Sequence, residues 1–163
     1  VDIPEDTKMN QLNTEIFENE KFPFVANMPY YYTEDFEVVL ENTIWVSIND
    51  PGVYLAKISP FLMEIPRLQI NFYDLEKDDE EYAYKAPSPE DAKKIVDFLL
   101  QNKGSNVIVN CVAGISRSGA VAKFCEEILG YHWIPFSKNH SVPNPTLYSL
   151  MKRYYENNSK TSS

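Results

Sequence analysis

Residues 107–119 read Val107-Ile108-Val109-Asn110-Cys111-Val112-Ala113-Gly114-Ile115-Ser116-Arg117-Ser118-Gly119, and this stretch decides how the chain folds. The β-branched run at its start is a short buried strand. Gly114 marks a tight turn, and an amphipathic helix starts close to Arg117 and ends at Gly130. A strand, a tight turn and a helix N-terminus together make an anion cradle. Successive N–H groups of the turn converge on one point, and the first turn of the helix adds its unsatisfied N–H groups and dipole. Arg117 adds a planar guanidinium that donates two parallel hydrogen bonds to phosphate oxygens. A thiol at the same point loses its proton more readily, which makes Cys111 a nucleophile. Gly114 leaves room for the ligand, and Ser118 is placed to hydrogen-bond the sulfur. The competing reading, a structural cysteine buried at a strand end, leaves Arg117 and the polar turn without a role.

Working outward, Phe22 to Met28 predicts a first strand, and Ile44 to Ile48 a second, bounded by the turn Asn49-Asp50-Pro51-Gly52. Leu68 to Tyr73 predicts a third, ending at Asp74 and followed by a charged surface loop from Glu76 to Glu81. Ser88-Pro89-Glu90-Asp91 opens a helix with an N-cap, proline in the first turn and acids at the positive end of the dipole. Ala92, Ile95, Val96, Leu99 and Leu100 form its buried face, and Gly104 stops it. Thr33-Glu34-Asp35 predicts a capped helix carrying Phe36, Val39 and Leu40 to about Asn42; Asn144-Pro145 opens a last helix with Leu147, Leu150, Met151 and Tyr154 inward. Residues 53–66, interrupted by Pro60 and Pro66, are a broken helix or a packed connection.

Strands alternating with helices imply a single α/β sandwich, a mainly parallel sheet flanked by helices. Ligands of such sheets bind outside the carboxyl ends of the strands, where this chain places Asp50, Asp74 and Cys111. The expected organisation is a loosely held polar arm over residues 1–20, one catalytic domain over 21–157 and a flexible tail over 158–163.

Fifteen basic against twenty-four acidic residues give a net charge of −9, so neither nucleic acid nor an anionic membrane is an expected partner. No apolar run approaches the roughly 20 residues of a membrane-spanning helix, and no basic-then-apolar leader stands at the start. Two cysteines, Cys111 and Cys125, are compatible with a reducing compartment, and a cytoplasmic location is expected. Cys125, beside Phe124, Ile128 and Leu129, reads as core packing. His132 and His140 with both cysteines do not form metal-ligand spacing, so no metal or other cofactor is expected.

Cys111-Val112-Ala113-Gly114-Ile115-Ser116-Arg117-Ser118 resembles the Cys-x5-Arg-Ser phosphate loop of the protein tyrosine and dual-specificity phosphatases, most closely the small dual-specificity type. The resemblance extends more weakly from about Ile44 to Tyr155. It implies a protein tyrosine phosphatase-like fold and a two-step reaction through a cysteinyl-phosphate. Cys111 attacks phosphorus, Val112 to Arg117 bind the phosphate, and an aspartic acid protonates the leaving oxygen and then activates water. The resemblance requires no metal, because Arg117 and the loop amides stabilise the transferring group. It places the acid on the loop after the preceding strand, where Asp74 is the first candidate, ahead of Asp78, Asp79 and Asp50. The implied substrate is a phosphorylated protein, through phosphotyrosine or phosphoserine/threonine, or else a small phosphorylated molecule; oligomeric state is left open.

One position departs from the pattern. The family places histidine before the nucleophile, and this chain has Asn110. A carboxamide supports the loop by donating a hydrogen bond but carries no positive charge. A phosphate-binding protein with little turnover is therefore the alternative reading. Tyr30, Tyr31, Tyr32, Tyr82 and Tyr84 are available to wall a pocket, and Asn144 to cap its helix or brace the loop.

Overall fold

Three buried stretches rich in residues that pack on a pleated surface form the middle of one sheet, and two shorter, less buried strands form its edges. A computed structural model describes residues 5–36, 40–53 and 57–159. The strands are β1 (Phe24–Pro29), β2 (Thr43–Asn49), β3 (Arg67–Asn71), β4 (Asn106–Cys111) and β5 (His132–Trp133). Their order is β3-β2-β4-β1-β5, and every neighbouring pair is parallel. All strands therefore end at one edge, which carries Asp50, the residues after Asn71, and Cys111.

Strand β4 lies at the centre and is buried throughout. Alternation along it sends Val107, Val109 and Cys111 to one face and Ile108 and Asn110 to the other. The first face packs against α3 (Pro89–Gln101), α4 (Arg117–Glu127) and α6 (Pro145–Ser159), with Ile95, Leu99, Val121, Phe124, Leu147 and Met151 in its core. The second face is covered by α1 (Glu5–Phe17), a 3₁₀ turn (Tyr30–Glu34), the single turn α2 (Pro60–Met63) and α5 (Pro135–Asn139). Trp45 is the largest side chain fully buried there.

Helix α3 starts as its sequence predicts: Ser88 Oγ accepts from Asp91 N, and the Asp91 carboxylate accepts from Ser88 N. Leu100, expected on its buried face, is exposed instead, since that face ends at Leu99. Thr33 is not the start of a helix. It lies within the 3₁₀ turn, and its hydroxyl donates back to the Tyr30 carbonyl at 2.6 Å. Val39 falls outside the described residues. Among its described residues the stretch 53–66 holds only α2, whose cap is Ser59.

The polar N-terminal stretch forms α1, with Leu12 and Ile16 buried beside Phe24 and Phe136. Two inward side chains on successive turns suffice to seat a helix, although its hydrophobic periodicity is weak. At the other end α6 continues to Ser159, with Leu147 and Met151 buried and Leu150 and Tyr154 partly so. No described helix is long and apolar enough to cross a membrane.

Candidate active site

Cys111 ends β4 with its sulfur buried between two polar neighbours. Gly114 N–H donates to Sγ at 3.2 Å, and Ser118 Oγ lies 3.1 Å away. Both groups are able to donate a hydrogen bond to the sulfur. Cys125 is equally buried but among Phe124 and other apolar side chains of α4, where burial pushes its thiol up.

The loop between Cys111 and Arg117 is held from outside by its carbonyls. Val112 O accepts from Tyr30 N at 3.4 Å, Gly114 O from Asn27 Nδ2 at 3.1 Å, Ile115 O from Val142 N at 3.1 Å, and Ser116 O from Asn144 N at 2.9 Å. In a trans peptide the N–H points opposite to the C=O. The N–H groups of Ala113, Ile115, Ser116 and Arg117 are therefore turned away from these anchors, into the cradle. Gly114 has φ +73°, and a Cβ there would stand 2.1 Å from Pro29 N. The loop fits against β1 only because that position is glycine. Helix α4 has no acid in its first turn, and Ser116 at its N-cap makes no side-chain cap, so its N-terminal donors are free of internal competition.

Arg117 is buried, and its Nη1 donates to Asp50 Oδ1 at 2.8 Å and to the Phe72 carbonyl at 2.6 Å. Its Nε is buried without a partner. The Nε–Nη2 edge, the side of a guanidinium that presents two parallel N–H groups, is thus uncommitted. Asp50, half-exposed, anchors the arginine from the end of β2.

The four aspartates weighed as the acid occupy different places. Asp74 Oδ1 accepts from Ser116 Oγ at 2.8 Å and from Asn144 Nδ2 at 2.9 Å, which docks its loop onto the phosphate loop. Asp50 is paired with Arg117. Asp78 accepts from Ala86 N, a bond that holds its carboxyl below the usual carboxylate range, and Asp79 accepts from Glu81 N and Tyr82 N. Both therefore serve their own exposed loop, and Asp74 is the one that touches the loop of Cys111.

Asn144 caps its helix through its side chain and reaches the loop after Cys111 through its backbone N–H, which donates to the Ser116 carbonyl. Its Oδ1 caps α6 by accepting from Leu147 N, while its Nδ2 reaches Asp74 and the Leu75 carbonyl. Asn110 does not support the loop by donating to it. Its side chain lies on the opposite sheet face from Cys111, where Oδ1 accepts from Trp45 Nε1 at 2.8 Å and Nδ2 is buried without a partner. Strand alternation forces this: residues 110 and 111 project to opposite faces.

Of the five tyrosines expected as pocket walls, Tyr30 lines neither of two pockets and donates its hydroxyl to the Lys57 carbonyl at 3.2 Å, and the other four divide between them. Tyr73, Tyr84 and Tyr82 stack in sequence, with centroids 4.2 and 5.7 Å apart, beside Pro51 and Phe72. Tyr31 and Tyr32 line a smaller pocket of about 160 Å³ that is bounded by Ala113, Gly114 and Ile115 of the loop. Among the described residues no three His, Cys, Asp or Glu side chains converge as a metal site. Asn27 gives no local signal of its bond to Gly114, being a lone polar residue in an otherwise apolar strand, and Asp50, expected at the ligand-binding edge, stands there as the partner of Arg117.

No protein-family model matches the sequence, and no curated protein does. Solved structures do. The human tyrosine phosphatase-like serine/threonine/tyrosine-interacting protein is 20% identical, with a TM-score of 0.51 over 83% of this chain and 93% of that one. PTPMT1 is 17% identical over 85% and 94%, with a TM-score of 0.49. A mouse putative dual specificity phosphatase complexed with zinc tungstate is 17% identical over 82% and 83%, with a TM-score of 0.46. At these identities the likeness is one of architecture, carried by the first of the three together with the strand order described above. The chain has an α/β fold similar to that of this tyrosine phosphatase-like protein.

Proposed function

We propose that this chain is a phosphomonoester hydrolase that works through a cysteinyl-phosphate at Cys111. The observation that carries the reading is the sulfur at the floor of a loop of which four carbonyls, those of Val112, Gly114, Ile115 and Ser116, are held from outside. An oxyanion seated there meets the N–H groups of Ala113, Ile115, Ser116 and Arg117 and the free edge of the Arg117 guanidinium. Preorganised donors of this kind stabilise the charge on a transferring phosphoryl group.

In the first step the Cys111 thiolate forms the S–P bond as the P–O bond to the leaving group breaks, and Asp74 gives its proton to the departing oxygen. In the second step water attacks phosphorus, Asp74 takes the water proton, and the S–P bond breaks to return the thiolate. Ser118 Oγ, within hydrogen-bond distance of Sγ, steadies the departing sulfur. The substrate class is a phosphorylated protein, with phosphotyrosine or phosphoserine/threonine as the reactive group, and a small phosphorylated molecule as the next choice.

Hydrolysis of p-nitrophenyl phosphate tests the reading. Cys111→Ser should lower turnover by at least about 10³-fold, because the nucleophile is removed. Asp74→Asn keeps an oxygen for Ser116 and Asn144 but has no acid proton, and should cost about 10²-fold. Unchanged turnover in Cys111→Ser would sink the mechanism. Asn110 favours a second reading, an oxyanion-binding protein with little turnover, because it adds no charge near the sulfur. Tungstate binding without hydrolysis would establish that reading instead.

A further inference from the structure

Asn27 sits in β1 opposite Val109 of β4, and so projects to the same sheet face as Val109 and Cys111. It is 3% exposed. Its Oδ1 accepts from Trp133 Nε1 at 2.8 Å, while its Nδ2 donates to the Gly114 carbonyl at 3.1 Å and to Ser141 Oγ at 2.7 Å. Its own carbonyl accepts from Ser137 Oγ at 2.9 Å. An indole N–H only donates and a peptide carbonyl only accepts, so the orientation of this carboxamide is set by its neighbours. A side chain between them must accept at one end and donate at the other. At this size and neutral charge, asparagine meets that requirement and aspartate or leucine does not.

We infer that Asn27 is a positioning residue for phosphate capture: by holding the Gly114 carbonyl outward it aims the Ile115 N–H at the bound phosphoryl oxygens. The peptide between Gly114 and Ile115 is one rigid plane, so fixing its oxygen fixes its N–H in the opposite direction. The Gly114 N–H, which points at Cys111 Sγ, belongs to the preceding peptide. Two successive peptides are thus aimed differently, one at the nucleophile and one at the phosphate. The second aim is set from β1, a strand distant in sequence. Without the strut the Gly114–Ile115 peptide is free to rotate, and the cradle loses one fixed donor. The inference rests on the phosphate-loop reading above.

The test uses the whole chain and tungstate as the probe, at pH 8. In Asn27→Asp the carboxylate keeps an acceptor for Trp133 but has no proton for Gly114 O. Tungstate affinity is expected to fall at least tenfold, and the Ile115 amide resonance, which shifts on tungstate addition in the unsubstituted protein, is expected to stop responding while that of Arg117 still does. General loosening of the fold would not separate these two amides. In the unsubstituted protein, tungstate should also shift the Asn27 side-chain amide protons and slow their exchange, a measurement that stands even where Asn27→Asp does not fold. Affinity within twofold of the parent with an unaltered Ile115 response, or Asn27 protons indifferent to tungstate, overturns the strut and leaves the loop reading intact. Absence of tungstate binding by the unsubstituted protein overturns both.

Discussion

The molecule makes the same buried hydrogen bond twice, and the two copies have different uses. Trp133 donates to Asn27 and Trp45 donates to Asn110, each at 2.8 Å. In the first pair the amine end of the carboxamide continues to Gly114 and Ser141. In the second it stops, and Asn110 Nδ2 is buried with no acceptor. The chemistry of the two pairs is identical and their position differs: Asn27 shares a sheet face with Cys111, while Asn110, next to Cys111 in sequence, faces away. Nearness in the chain is a poor guide to support of a site, because alternation along a strand separates neighbours and joins partners from other strands.

The largest expected effect strikes the place where the first pair ends. Gly114→Ala puts a Cβ 2.1 Å from Pro29 N at a positive φ, so the loop must leave β1 and the Asn27 strut. Oxyanion binding should be lost and stability reduced by at least about 3 kcal/mol, from clash and backbone strain together. Calorimetry with tungstate and chemical denaturation measure both, and wild-type affinity would break the proposed seat of the loop.

The second pair should behave as a structural bond only. Asn110→Leu leaves the Trp45 N–H buried without an acceptor and should lower stability by about 1–3 kcal/mol. Trp45→Phe opens a cavity of its own, so the bond is read as a coupling: the two substitutions together should cost less than the sum of the two singles. A double-mutant cycle in urea gives the number, and strict additivity would show that the Trp45–Asn110 bond contributes nothing.

The smallest effect is expected from restoring the family's histidine. Trp45 needs an acceptor, and an imidazole that accepts at one nitrogen is neutral, whereas a charged one only donates. Asn110→His alone should therefore leave the pH profile of kcat/KM where it is. Combined with Trp45→Phe, the imidazole is free to take a proton, and the acidic limb of the profile should move. A shift in the single variant would show that Trp45 does not control this position.

The fold was largely legible because its signals are local. The Ser88–Asp91 capping box, the β-branched strands and the Cys111–Ser118 loop each declare themselves within a few residues, and the parallel sheet follows from their alternation. What escaped reading depends on contacts between distant segments. Helix α1 rests on two buried side chains against Phe24 and Phe136, the pairing of Asp50 with Arg117 needs β2 and α4 to be neighbours, and Asn27 is one polar letter in an apolar strand. Asn110 was read on its chemistry alone, when its face of β4 decides what it touches. Asp74 stands at a strand end that the sequence marks, whereas its bonds to Ser116 and Asn144, 42 and 70 positions away, depend on the tertiary fold.

The seat of Gly114 on Met28 and Pro29 also bears on how the chain folds. Asn27 and Gly114 are 87 positions apart, so this contact closes late, after β1 has entered the sheet between β4 and β5. Long-range parallel pairing of this kind is slow, because the entropy of a large loop is lost before the contacts that reward it form. A refolding chain is therefore expected to form its helices and β4 before Gly114 reaches its seat on β1, so the loop after Cys111 is the last part of this edge to take its final shape.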